Sequence, residues 1–138
     1  MTVTHSWTLP ADTTAAAAGR DFVRSALAEY GHASYTSDTQ DTEAAEVAAA
    51  VTSELCTNAI LHGSPPQLLK FVIDREHLRI EVSNSNRVGG TAPKLATMPT
   101  NSDTVGGRGL NLVNVLSSTW GADVTSGSTT VWAVISRG

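Results

Sequence analysis

Three segments of the chain carry apolar residues at three- and four-residue spacing, and short β-rich runs surround them. In the first, Phe22, Val23, Ala26, Leu27 and Tyr30 form one helical stripe; Pro10 with Asp12 and Thr13 supplies a turn and a cap before it, and Gly31 ends it. Trp7 to Leu9 predicts a short strand ahead of that helix, and His32 to Asp41 a polar loop behind it. Thr42, with Glu46 nearby, opens a longer helix whose first turns are apolar (Ala44, Val47, Ala48, Val51), and Gly63 with Pro65-Pro66 stops it.

Beyond that stop, Leu68–Ile73 and Leu78–Val82 are β-rich runs joined by Asp74-Arg75-Glu76-His77, which predicts a hairpin. Leu78, Ile80 and Val82 alternate with Arg79, Glu81 and Ser83, so period two puts Asn84 on the apolar side. From Ser85 to Val105 the chain is rich in Gly, Pro, Ser, Thr and Asn without periodicity, and a loop of that length is a lid, a binding loop or an unstructured stretch. Gly106-Gly107-Arg108-Gly109 then opens a helix with an apolar face of Leu110, Val113, Leu116 and Trp120. Two final strands, about Ala122–Thr125 and Thr130–Ser136, are linked by Ser126-Gly127-Ser128.

The long helix carries the first candidate chemistry. At about 100° per residue, with Val47 at zero, Val51 lies near 40°, and Glu54, Asn58 and His62 fall at roughly −20°, 20° and 60°. The carboxylate, the amide and the imidazole are therefore predicted to share the buried stripe. Buried polar groups are either satisfied by neighbouring backbone and water or they line a pocket. Three together on one stripe favour a pocket for a ligand or metal, since each costs on the order of 1–3 kcal/mol when unpaired.

The second candidate is the glycine-led helix, where backbone N–H groups and the helix dipole converge on an anion; the same glycines also serve as plain connections. The segment lacks the Lys-Ser/Thr that closes a P-loop and is not G-x-G-x-x-G after a strand, which disfavours both of those nucleotide folds.

Bulk composition narrows the classes. At 138 residues the chain is the length of one domain. A net charge of −4 with scattered basic residues argues against direct nucleic-acid binding. The short apolar stretches and the absence of a signal-like start predict a soluble cytoplasmic protein. Cys56 is the only cysteine and reads as a packed thiol.

Taken in order, Glu54-Leu-Cys-Thr-Asn58-Ala-Ile-Leu-His62-Gly63, Glu81-Val-Ser-Asn84, Gly107-Arg-Gly109-Leu-Asn-Leu-Val113 and Thr130-Val-Trp132 resemble the N box, the first and second glycine-box regions and the last strand of the GHKL superfamily of ATP-binding domains. The likeness is closest to anti-sigma factor serine kinases of the RsbW and SpoIIAB type and spans nearly the whole chain. It implies a two-layer α+β sandwich, with about three helices on one face of a mixed, mostly antiparallel sheet, and residues 85–105 as an ATP lid.

The resemblance also implies ATP and Mg²⁺ as cofactors, with Asn58 as the Mg²⁺ ligand through its amide oxygen and Glu54 as the catalytic group that orients or deprotonates a partner's serine. His62 would support the pocket. Gly107, Arg108, Gly109 and Leu110 would bind the phosphates, and Asn84 and Thr130 would lie at the adenine. The implied partners are a sigma factor and an anti-anti-sigma (STAS-type) protein, and members of this type are often homodimers.

The chain departs from the family where Asn84 replaces an Asp, and where Asn86 and Val88 replace glycines. A neutral acceptor in place of a charged one weakens ATP by on the order of 1 kcal/mol, about five- to tenfold. Asn84 equally suits a turn cap. These departures keep open a catalytically weakened or nucleotide-independent binding module of the same fold. A detached histidine-kinase-type ATPase domain is a further alternative, disfavoured because no dimerisation helix with a phosphoacceptor His is found: His5, His32 and His77 fall in predicted strand or loop contexts.

Overall fold

Alternation of buried and exposed side chains builds the sheet of this computed structural model, which describes residues 2–34, 39–85 and 112–137, with side chains described outside 31–42. The strands are β1 (Val3–Thr8), β2 (Ser64–Ile73), β3 (His77–Ser85), β4 (Thr119–Val124) and β5 (Ser128–Ser136). Their order across the sheet is β1-β2-β3-β5-β4, and every described pairing is antiparallel. On one face Leu69, Phe71 and Ile73 of β2, Leu78, Ile80 and Val82 of β3, and Val131, Ala133 and Ile135 of β5 are buried. Period two makes that face continuous, since Phe71 pairs with Ile80 and Ile80 with Ala133.

Two long helices, α1 (Ala15–Ser34) and α2 (Thr39–His62), pack on that face. Residues 112–116 are also helical, and buried Val113 joins the core. The expected two-layer sandwich is thus present, and a sheet expected to be mixed is antiparallel wherever it is described. The α1–α2 contact is close at Gly19, where a Cβ would sit 2.8 Å from Cys56 Sγ and 3.0 Å from Thr52 Cγ2. Arg20 ties the two helices by donating from Nη1 to Ser53 Oγ at 2.9 Å. At the sheet edge Trp7 of β1 stacks on Phe22 of α1 with centroids 4.9 Å apart.

Several boundaries move from their expected places. β1 starts at Val3, α1 runs through Gly31 and His32 to Ser34, and α2 starts at Thr39. A glycine ends a helix only where the chain turns, and His32 therefore has a helical backbone instead of a loop. Pro65-Pro66 lies inside β2, in a stretch where the pairing register shifts between Ser64 and Leu68, which leaves room for residues that cannot donate to the ladder. Trp120 belongs to β4, not to a helical face; its indole Nε1 donates to Asn114 Oδ1 at 2.9 Å. The hairpin closes as expected: Asp74 Oδ1 accepts from Glu76 N at 2.8 Å and His77 N at 2.7 Å.

Candidate functional site

Five polar side chains are buried among the described residues: Thr52, Asn58, Gln67, Asn84 and Thr129. Four of them gather at one end of the layer, where α2 finishes above the ends of β2, β3 and β5. Asn58 stands one turn before that finish, Asn84 pairs with Thr129 across β3 and β5, and Gln67 precedes Leu69 on the buried face of β2.

Asn58 is 4% exposed, and its Nδ2 is buried without a hydrogen-bond partner. Glu54, one turn earlier, is only half-buried, and His62, the last residue of α2, is exposed. The predicted sharing of one buried stripe therefore holds for Asn58 alone. The cause is that α2 packs on α1 as well as on the sheet, so Ala48, Ala49, Thr52, Leu55, Cys56 and Ala59 are all buried. Those positions span roughly 80° to 200° on the same helical wheel, which leaves Glu54 on the rim. His62 has the right angle but lies at the helix end, beyond the core.

Asn84 is 4% exposed. Its Nδ2 donates to the Ser85 carbonyl at 2.9 Å, and a Cβ placed on Gly63 would sit 2.1 Å from that nitrogen. The amide is thereby oriented. With its nitrogen turned to a carbonyl, Oδ1 is left as the acceptor, the group an exocyclic amine requires.

Thr130 lies on the other face of the sheet. β5 alternates so that Thr129, Val131, Ala133 and Ile135 face the helices, while Thr130 lines a shallow depression of the open face with Lys70, Glu81 and Ser83. A shift of one residue reverses the face, and it is Thr129, fully buried, that lies opposite Asn84. Thr129 was legible in principle, because Asn84 and the first apolar residues of the last strand fix the parity.

Gly107, Arg108, Gly109 and Leu110, and the lid segment from residue 86 onward with Asn86 and Val88, lie outside the described residues. Cys56 is buried as expected, and burial pushes its thiol up to about 12, against a smaller opposing pull from Arg20. No group of three or more His, Cys, Asp or Glu capable of holding a metal is found among the described residues. A hard cation here would rest on the Asn58 amide and on oxygens brought by a ligand. No helix among the described residues is long and apolar enough to cross a membrane.

The polar set fits a Mg²⁺-nucleotide: a buried amide on α2 whose Nδ2 has no partner, an oriented acceptor on β3 and a buried hydroxyl on β5. A protein-family model described as the histidine kinase-like ATPase domain matches residues 9–135. A search of curated proteins finds no match.

Proposed function

From the premise that this chain belongs to the histidine kinase-like ATPase domain family, we propose that it is a regulatory protein serine kinase of the anti-sigma type. In this reading it phosphorylates an anti-anti-sigma (STAS-type) partner with ATP and otherwise holds a sigma factor. Domains of this family bind ATP, usually with Mg²⁺.

Asn58 carries the reading: it is buried with an unpartnered amide nitrogen, one turn from a carboxylate that keeps access to solvent. Bound ATP would supply the transferable phosphoryl group, and Mg²⁺ would offset its charge. Asn58 would hold the cation through its amide oxygen. Glu54, on the rim, would meet a hydroxyl arriving from another protein, orient it and take its proton. Asn84 Oδ1 would accept from the base, and Thr129 would back it from β5.

The test is phosphate transfer from ATP to a serine of the partner, lost in Glu54→Ala while ATP binding persists. Calorimetric titration with ATP and Mg²⁺, repeated on Asn58→Ala, checks the cation site. Absence of nucleotide binding at millimolar ATP with Mg²⁺ rejects the kinase. A second reading, a nucleotide-independent binding module, is supported by the uncharged Asn84 in the position of the family's Asp. It predicts partner binding unchanged by ATP.

A further inference from the structure

Gln67 belongs to none of the motifs that mark this chain as an ATPase, yet it is one of the most enclosed polar side chains described. It is 2% exposed, and its Oε1 is buried without a hydrogen-bond partner. Its place follows from the ladder. Leu69 of β2 pairs with Val82 of β3; past Leu68 and Ser83 the register shifts, and Gln67 and Asn84 are the next residues of the two strands on the same buried face.

A buried acceptor with no donor weakens a fold, and an apolar side chain of the same length would fill that volume without the cost. A binding role would account for a polar side chain at that position. The family's Asp would offer two oxygens to a base amine, whereas Asn84 offers one, because its nitrogen is committed to the Ser85 carbonyl. A 6-amino group carries two hydrogens. A second carboxamide oxygen, Gln67 Oε1, at the same end of the buried face would restore the count of acceptors.

We propose that Gln67 is a specificity-determining residue of the nucleotide pocket, a second carboxamide acceptor that selects an amino-bearing purine, adenine, over one with a carbonyl in that position. The inference rests on the ATP-binding reading above. Guanine would turn its own acceptor toward two acceptors, and the pocket would reject it.

The experiment is calorimetric titration of the full chain and of Gln67→Met with Mg²⁺-ATP and Mg²⁺-GTP, together with thermal melting of both proteins without nucleotide. The expected result is a loss of about five- to tenfold in ATP affinity and a similar fall in the ATP-over-GTP preference. The melting midpoint without nucleotide stays level or rises. An unchanged affinity and preference in Gln67→Met, with the parent chain binding ATP, overturns the inference alone. A clear drop in the nucleotide-free midpoint, or failure of the variant to fold, also overturns it, because the amide would then be structural. A parent chain that binds neither nucleotide overturns the ATP-binding reading and the inference with it.

Discussion

Gly63 and Asn84 are packed so closely that Gly63 can take no side chain while Asn84 keeps its place: a Cβ on Gly63 would sit 2.1 Å from Asn84 Nδ2, 2.2 Å from its Cγ and 2.8 Å from its Cβ. Gly63 also closes α2, donating its N–H to the Ala59 carbonyl at 3.0 Å. One residue therefore ends the helix that carries Asn58 and clears the space in which the strand presents Asn84.

Gly63→Ala is expected to destabilise the protein by about 1–3 kcal/mol, the usual range for overpacking. Because the displaced group is the proposed base acceptor, nucleotide affinity should fall further than stability alone explains. Chemical denaturation and calorimetry on the same preparation check this; an Ala variant with parental ATP affinity would show that Asn84 does not need its present position.

Restoring the family's acid has an unfavourable side here. In Asn84→Asp the donor that reaches the Ser85 carbonyl at 2.9 Å becomes an oxygen, and two acceptors face each other in a buried site. The nucleotide-free protein should lose about 1–3 kcal/mol. Any gain in ATP affinity from the negative charge must exceed that loss. Melting and titration of the variant separate the two effects, and a more stable nucleotide-free variant would contradict the orientation assigned to the amide.

Cys56 should resist alkylation while the protein is folded. Its thiol is fully buried, and burial pushes it from 9.0 up to about 12, so almost no thiolate forms near neutral pH. The folded value lies above the unfolded one. The contribution to stability is therefore complete below about pH 9 and falls as pH rises toward 12, by at most about 1.4 kcal/mol per pH unit. Iodoacetamide labelling with and without urea checks the first point, and denaturation between pH 8 and roughly 11 the second. Labelling of the folded chain as fast as of the unfolded one would contradict the packing against Gly19.

Asp74 is a smaller case with the opposite sign. Backbone hydrogen bonds from Glu76 and then His77 hold its carboxyl below the ordinary 3.8. Its contribution to the hairpin is present above that value and lost as pH falls through the folded value. Asp74→Ala should cost about 0.5–1 kcal/mol, at the low end for a hydrogen-bonding group because the turn is exposed. The difference between parent and variant should vanish in acid, which denaturation at pH 7 and near pH 2 measures.

Much of this protein was written in local pattern. Period two in β3 put Asn84 on the same face as Leu78, Ile80 and Val82, and Asp74 marked the hairpin, because strand faces and tight turns are set by neighbouring residues. The ordered boxes around Asn58, Asn84 and Gly107 pointed to the family that residues 9–135 match.

Tertiary packing decided what lay between those marks. The chain alone could not show that α2 is buried against α1 as well as the sheet, which turned Glu54 to the rim and left Asn58 inside. The parity of Val131, Ala133 and Ile135 already put Thr129 instead of Thr130 on the helix side, but only the β3–β5 register set it opposite Asn84, since one residue of register reverses a strand's face. Gln67 carried no motif at all. Its buried, unpartnered oxygen became visible only when β2 was laid beside β3, because burial is a property of neighbours distant in sequence and not of the residue itself.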